Sequence, residues 1–178
     1  MGTIKATNIE PIADNGTVTL GSSGDTITVP TGVTVSGASA NTPSFRATMG
    51  SNQTLGTASW TKLAFNTVDF ATGTFDTSNY RWTPGVSGKY FIYTHSLIGT
   101  MSDGNQCLGQ IYKNGISTPV TILKNQIPIA DSNYMQGIGV ITLDTDDYVE
   151  AYGWQNSGGN RDTNKEYTVF FGSRLIGV

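Results

Sequence analysis

Short runs of alternating apolar and polar residues, punctuated by glycine and proline, recur along the chain. This period of two predicts β-strands, and no apolar pattern keeps the 3.6-residue period of a helix over three turns. Longer loops are expected at Gly99–Asn105, Lys124–Asp131 and Gln155–Glu166. About ten strands are expected after residue 43, and the clearest are Ser44–Met49, Thr61–Asp69, Tyr80–Trp82, Gly88–Leu97, Gln106–Lys113, Ile116–Leu123, Ser132–Leu143, Tyr148–Trp154 and Thr168–Ile176.

The stretch from Phe65 to Tyr93 is rich in aromatic residues and ends in a run that is bulky on both sides. Tyr90 and Ile92 alternate there with Phe91 and Tyr93, so both faces of a strand would be apolar. A strand that is apolar on both faces is usually buried on both faces. In an antiparallel sandwich the second face needs a partner, and we expect that partner to be another copy of the chain.

The same stretch resembles the signature of the complement C1q globular head, a jelly-roll domain shared with the tumour necrosis factor superfamily. The matching residues are Phe65, Phe75, Trp82, Gly88, Tyr90 and Ile92. Further segments are similar to the family in the same order: Phe45–Ala47, Pro84–Gly88, Lys113–Gly115, Gly139–Leu143 and Phe170–Leu175. The resemblance implies an all-β, antiparallel jelly-roll sandwich over residues 45–178.

We predict that this head is a homotrimer in which the aromatic-rich sheets pack around a threefold axis. The predicted trimer core consists of Phe65, Phe75, Trp82, Tyr90, Ile92 and Phe170. A projecting trimer would present each loop three times, so that weak contacts with a host glycan or surface protein would act together.

Residues 1–37 differ from the rest, because their three short strand-like runs alternate threonine with aliphatic residues and hold no aromatic residue. Each run would bury only one face, so we expect it to wind with the same runs of two neighbours into a β-stalk, or to anchor the head to other virion proteins. Residues 38–44 are predicted to be a small-residue linker. The phrasing of the runs is similar to the leader regions of bacteriophage fibres, which implies a location on the capsid or tail surface of a virion.

Composition excludes several classes of function. Charged residues make up 13% of the chain, about half of the usual share. A net charge of −3 and ten basic residues without a run argue against nucleic-acid binding. No apolar stretch approaches the ~18 residues of a membrane span. Met1–Lys5 leads into polar residues, so no secretory leader is expected.

Catalysis has little support in the residues. His95 is the only histidine, and its neighbour Ser96 would point to the opposite face of a strand. Cys107 is the only cysteine, so no intrachain disulfide can form, and we expect it to be a small buried apolar residue. One histidine and one cysteine are too few for a zinc site. We therefore predict a protein that is not an enzyme.

The densest acidic cluster is Asp144, Asp146 and Asp147. Oxygen ligands of this kind would suit Ca²⁺. The favoured alternative is a solvated hairpin turn whose aspartates bond their own backbone. No cofactor is otherwise expected. A third use, as paired carboxylates of a polysaccharide depolymerase, has the least support.

The polar loop after β-strand residue Trp154 is a candidate ligand-binding loop. An aromatic platform beside amides and charged groups is typical of surfaces that bind sugars or proteins. The candidate residues are Trp154, Asn156, Arg161 and Asp162. The alternative is a long polar connection with Trp154 in the core.

Together the sequence features favour a structural virion protein, either a short trimeric fibre or a capsid decoration. The alternative function is a soluble lectin-like recognition module that is not part of a particle.

Overall fold

The computed structural model describes residues 42–118, 122–126 (backbone only) and 131–175, together with Val18, Thr19, Thr26, Thr28 and Thr31. The chain divides into two compact units, Met1–Ala38 and Ser39–Val178. The predicted stalk or anchor, apart from those five positions, and most of the predicted linker lie outside the described residues. Those two assignments therefore stay predictions.

The part of the chain that the structure describes contains thirteen strands and no helix. The prediction of an all-β fold is confirmed. The strands are β1 Ser44–Met49, β2 Thr54–Leu55, β3 Thr61–Lys62, β4 Phe65–Ala71, β5 Thr74–Asp76, β6 Arg81–Thr83, β7 Gly88–Met101, β8 Gln106–Lys113, β9 Ile116–Ser117, β10 Ile122–Gln126, β11 Asp131–Leu143, β12 Val149–Gln155 and β13 Arg161–Arg174.

Several strand boundaries differ from the pattern-based prediction. β7 continues to Met101 inside the predicted loop Gly99–Asn105, and the predicted strand Ile116–Leu123 is not one strand, because β9 ends at Ser117. The run Thr61–Asp69 is split into β3 and β4, β10 extends into the predicted loop Lys124–Asp131, and β13 begins inside the predicted loop Gln155–Glu166. The added strand residues are mostly polar and were therefore predicted to be loops. Pairing of β10 with β8, and of β13 with β2 and β7, holds most of them in ladders, so tertiary context overrides local composition.

The strands form one continuous antiparallel path in the order β4-β1-β13-β7-β11-β10-β8-β12-β6-β5. The path folds over between β11 and β10, so β4-β1-β13-β7-β11 form one layer (layer A) and β10-β8-β12-β6-β5 form a facing layer (layer B). Ring contacts join the layers: the Trp82 ring of β6 lies 4.5 Å from Phe45 of β1 and 5.5 Å from Tyr90 of β7, centroid to centroid. The antiparallel sandwich predicted from the resemblance is confirmed.

Successive side chains of β7 point to opposite sides of layer A, as the pleat of a strand requires. Tyr90 and Ile92 are completely buried between the layers, whereas Phe91 and Tyr93 point outward and are half-buried. The central strand is therefore bulky on both faces, as the sequence pattern indicated. One copy of the chain covers only one of those faces.

The predicted trimer core is corrected by this arrangement. All but one of its residues are completely buried inside a single sandwich: Phe65, Trp82, Tyr90, Ile92 and Phe170. The remaining residue, Phe75, is partly buried and lies 5.5 Å from the Phe45 ring in the same core. A side chain with no exposed surface in one copy cannot contact a second copy. These residues hold the two layers together. Their role was predicted wrongly because the fold, and not the composition, determines which face of each strand meets the opposite layer.

The layers converge at the edge where β8 of layer B passes β11 of layer A. A Cβ atom added to Gly109 on β8 would lie 2.5 Å from the backbone of Gln136 on β11, so only glycine fits. Two residues earlier, the Cys107 thiol donates to the Tyr134 carbonyl at 3.4 Å. Cys107 is completely buried, as predicted, and burial raises the pKa of its thiol to about 12.

The last strand, β13, carries a wide bulge. Asn164 is opposite Leu97 of β7 and Thr168 is opposite Ser96, so residues 165–167 lie outside the ladder. All three are exposed. The Thr168 hydroxyl donates to the carbonyl of Lys165 at 2.9 Å and closes the bulge. The ladder continues on both sides of this extrusion.

Candidate functional site

The outward side of layer A carries a mainly apolar surface, interrupted by Gln136, which we call the aromatic face. Tyr93 of β7 lies opposite Ile138 of β11 and Phe171 of β13. Two residues earlier on β7, Phe91 lies opposite Val140 of β11. The aromatic face consists of Phe91, Tyr93, His95, Leu97, Tyr134, Ile138, Val140 and Phe171.

These side chains remain open to water in one copy. Val140 is 52% exposed, Ile138 is 37% exposed and Tyr134 is 36% exposed. The Phe91 and Phe171 rings, 6.5 Å apart, pack loosely against each other across β7 and β13. Contiguous apolar surface of this kind marks an interaction surface, because its exposure to water costs free energy.

His95 lies within the aromatic face and adds no charge to it. Its Nδ1 lies 3.0 Å from the Tyr93 hydroxyl, which also accepts a hydrogen bond from Gln136 Nε2 at 3.3 Å. The Tyr134 ring meets the imidazole edge-on at 5.4 Å. Burial, followed by the positive charge of Arg46, lowers the pKa of His95. The imidazole is therefore neutral at neutral pH, and the aromatic face has an uncharged centre.

The two hairpin tips at one end of the sandwich are tied together. Asn114 and Gly115 have φ angles of 52° and 74°, the left-handed values that a type I′ turn needs at both central positions. An Asn-Gly pair between two strand-like runs is a strong sequence signal of a hairpin, and here it joins β8 to β9. The Asn114 amide donates to the Tyr148 carbonyl at 3.0 Å, and the Tyr148 amide donates to Asn114 Oδ1 at 2.9 Å. The turn between β8 and β9 is thus bonded to the start of β12.

Asp147 completes this tie with its carboxylate. Oδ2 accepts a hydrogen bond from the Asp144 amide at 2.6 Å and lies 2.6 Å from Lys113 Nζ, while Oδ1 accepts from Asn114 Nδ2 at 2.6 Å. Burial would raise the pKa of Asp147, but the bonds from Asp144, Lys113 and Asn114 outweigh it and lower the pKa. Asp144 and Asp146 are exposed. Both oxygens of Asp147 are therefore already engaged within the protein.

Replacing Asp147 with alanine is expected to lower the free energy of unfolding by about 2 kcal/mol, because the partly exposed Lys113 ammonium and two amide donors lose their acceptor. The loss should be measurable by urea denaturation at pH 7. The contribution should be present above ~pH 4 and fade as the pH falls through the lowered pKa of the folded state. Exposed Asp146 is the matched control, and Asp146→Ala should change stability by less than about 0.5 kcal/mol. Equal losses in both variants would contradict the proposed tie.

The predicted ligand-loop residues do not form one cluster of open side chains. Asn156 Oδ1 accepts from a backbone amide of β8 at 2.6 Å, and Asp162 Oδ1 accepts from a hydroxyl on β2 at 2.6 Å. Arg161 Nη1 donates to the preceding carbonyl at 2.8 Å. Asn156 and Asp162 thus fasten the loop to the sandwich. Trp154 lies on β12, half-buried on the outward side of layer B and not in the core.

The outward side of layer B holds an aromatic group that the sequence reasoning missed, apart from Trp154. We call it the tyrosine–tryptophan strip, and it consists of Trp60, Tyr112, Tyr148, Tyr152 and Trp154. Tyr152 and Trp154 are two residues apart on β12, so the sequence already indicated that their side chains share one face of the strand. Register then brings Tyr112 of β8 opposite Glu150 and Lys62 of β3 opposite Tyr152.

The described residues assemble neither a pair of Ser96 with His95 nor a metal centre. Ser96 is completely buried between the layers while His95 points outward, so these neighbours cannot act as a pair. Within the described ranges, no group of three or more His, Cys, Asp or Glu side chains converges on a metal position. Nor do those ranges contain a helix long and apolar enough to cross a membrane.

No protein-family model and no curated protein sequence matches the chain. Solved structures do match it. Eiger TNF from S. frugiperda superposes with a TM-score of 0.55 and 10% identity, covering 76% of this chain and 93% of that one. The globular domain of zebrafish complement 1qA gives 0.54 and 19%, covering 75% and 97%. Murine APRIL at pH 5.0 gives 0.54 and 12%, covering 74% and 98%. The head of this protein therefore has the jelly-roll fold of C1q-type and TNF-type domains.

Proposed function

We propose that the chain is a non-enzymatic structural protein of a bacteriophage virion, a short homotrimeric fibre or capsid decoration that projects its C1q-like head. The aromatic face is the observation that carries this proposal. Its side chains are half-buried or exposed in one copy, and its central imidazole is neutral. The interior of the sandwich is already filled from both layers, so folding of one copy cannot cover this face.

Association of three copies through layer A would remove the aromatic face from water. Apolar burial contributes roughly 25 cal/mol per Å², and apolar interfaces of this kind are typical of obligate oligomers. We choose three copies because the one-sided runs of residues 1–37 would each be covered by the same runs of two neighbours. Phe91, Tyr93 and Phe171 then replace the buried residues first assigned to the trimer core.

Residues 1–37 would attach the trimer to other virion proteins, and the head would face outward from the capsid or tail surface. Its loops, repeated three times, would contact a host-surface glycan or protein with combined strength. The proposal includes no metal, cofactor, nucleic acid or membrane. It is supported by the scarcity of basic residues and by the engagement of both Asp147 oxygens.

Native mass spectrometry of the full chain at micromolar concentration tests the oligomer. The expected species has three times the 18.9 kDa mass of one chain. A monomer would remove the basis of the proposal, and a dimer would contradict the threefold arrangement. Quantitative mass spectrometry of purified virions tests the role, and the chain should occur there in multiples of three copies per attachment point.

A soluble lectin-like recognition module is the second candidate function. The tyrosine–tryptophan strip favours it, because a purely structural head has no need of clustered aromatic rings on its solvent side. The two candidates differ in where the chain is found. Release from host cells without association with sedimenting particles would favour the soluble module, and stoichiometric copies in purified particles would favour the virion protein.

A further inference from the structure

Three rings of the tyrosine–tryptophan strip pack in a row, one against the next. Tyr112 and Tyr152 stack with their centroids 3.8 Å apart and their planes 20° from parallel. The Trp60 ring lies 6.3 Å from Tyr112 and is 36% exposed, which makes it the open end of the group. Packing of Trp60 against Tyr112, and of Tyr112 against Tyr152, limits the rotamers of these three rings, so a ligand would not have to order them.

Charged side chains border the rings, and each has a partner. Lys62 Nζ lies 2.5 Å from Glu150 Oε1, and Glu150 is only 2% exposed. Arg81 stacks over the Tyr148 ring at 4.6 Å and places its Nε 3.4 Å from Asp76 Oδ2. The border therefore offers hydrogen-bonding groups without a net charge of either sign.

The phenol groups of Tyr112 and Tyr152 are protonated at neutral pH. Burial, followed by the nearby Glu150, Tyr112 and Tyr148, raises the pKa of Tyr152 to about 12. Burial also raises the pKa of Tyr112. A protonated phenol both donates and accepts a hydrogen bond. The strip thus combines apolar ring surface with hydroxyl groups of both hydrogen-bonding types.

We propose that the tyrosine–tryptophan strip binds a neutral oligosaccharide built of hexose units. A hexose ring has a flat C–H surface that gains by leaving water for an aromatic ring, and a hydroxyl edge that pairs with phenol, ammonium and carboxylate groups. An anionic glycan or a nucleic acid would have to displace Glu150 or Asp76 from an existing ion pair. A neutral ligand carries no such desolvation cost.

A second copy of the chain is a less suitable occupant of the strip. Protein association on this side would desolvate the Lys62–Glu150 and Arg81–Asp76 pairs without supplying new counter-charges. The aromatic face on layer A itself holds no ion pair. The Arg46–Asp69 pair at its border keeps 46% and 36% of its side-chain surface exposed, so this face suits that role. The two outward sides of the sandwich therefore have different occupants, copies of the chain on layer A and sugar on layer B.

This inference rests on the proposed function and names the site through which the head would contact a host surface. Three strips on one trimer would multiply a weak single-site affinity when the glycan is displayed densely. The strip lies within one copy, so its affinity for a free oligosaccharide does not depend on oligomer formation.

The test uses the full chain and biolayer interferometry against biotinylated neutral gluco-, manno- and galacto-oligosaccharides, with sialylated and sulfated oligosaccharides as the anionic set. Variant Trp60→Ala removes the most open ring outside the strand ladder, and Tyr152→Phe keeps a ring but removes a hydroxyl. Tyr167→Ala is the matched control, because Tyr167 is 51% exposed on the β13 bulge of layer A. Thermal melting and native mass spectrometry accompany each variant.

Binding of the unaltered chain to at least one neutral oligosaccharide is expected, with an approximately tenfold or greater rise in the dissociation constant for Trp60→Ala and less than about a twofold change for Tyr167→Ala. Tyr152→Phe should fall between them, with an unchanged melting temperature. Binding to the anionic set alone, no binding to the neutral set, or binding that survives Trp60→Ala would overturn the proposal. A change of oligomeric state in Trp60→Ala would assign the strip to contacts between copies and would also overturn it.

The same samples separate the two proposals. Trimers that bind no neutral oligosaccharide would leave the structural role standing and remove the sugar site. Monomers that bind through Trp60 would keep the sugar site and remove the trimeric virion role.

Discussion

The double variant Ile138→Asp, Val140→Asp is expected to be a folded monomer at concentrations at which the unaltered chain is a trimer. Both side chains are on the aromatic face, at 37% and 52% exposure in one copy. In the trimer each new carboxylate would be buried without a partner, which costs several kcal/mol. The dissociation constant should rise by at least about three orders of magnitude, equivalent to roughly 4 kcal/mol.

The fold of one copy should survive the same change. Both positions point away from the core, so the expected loss is only about 1 kcal/mol per site from the lower strand propensity of aspartate. Size-exclusion chromatography with light scattering gives the mass, and far-ultraviolet circular dichroism gives the fold. Ile116 on the β9 hairpin, at 72% exposure, is the matched control. The Ile116→Asp variant should stay trimeric, and a trimeric double variant would show that layer A is not the interface.

The Gly109→Ala variant, which adds a single methyl group, is expected to be strongly destabilised. The new Cβ would lie 2.5 Å from backbone atoms of Gln136, and a backbone cannot move aside as a flexible side chain can. Overpacking of this kind should lower the free energy of unfolding by about 3 kcal/mol or more. The corresponding fall in melting temperature is roughly 6–12 °C.

Gly159→Ala serves as the control for that variant. The nearest heavy atom to a Cβ at Gly159 is the Arg161 guanidinium nitrogen at an ordinary 3.6 Å. Its stability should change by less than about 0.5 kcal/mol. Calorimetric melting of both variants measures the difference. Equal melting temperatures would mean that β8 and β11 can separate at low cost, contrary to the close approach in the structure.

Local pattern predicted the strands and the turn that local physics determines. Alternation along Gly88–Leu97 indicated a strand with two apolar faces, and Asn114–Gly115 is a residue pair suited to left-handed φ at both turn positions. The order of the aromatic residues was sufficient for the jelly-roll fold. None of these conclusions needs knowledge of which strands pair across the sandwich.

The prediction of the interface residues was wrong because it requires knowing which strands face each other across the sandwich. Tyr90 and Phe91 look alike in the sequence, and only the fold-over between β11 and β10 turns Tyr90 toward layer B and Phe91 outward. The tyrosine–tryptophan strip was missed for the same reason. Tyr152 and Trp154 are close in sequence, but Trp60 joins them only after β3 has paired with β12.

The extruded residues 165–167 of β13 suggest a practical use. They contribute nothing to the ladder with β7, and the Thr168–Lys165 hydrogen bond closes the gap beneath them. Extra residues at such a protrusion lengthen a surface loop, and the entropic cost of closing that loop grows only with the logarithm of its length. The head can therefore be engineered to display a grafted peptide at this point while both neighbouring strands keep their register.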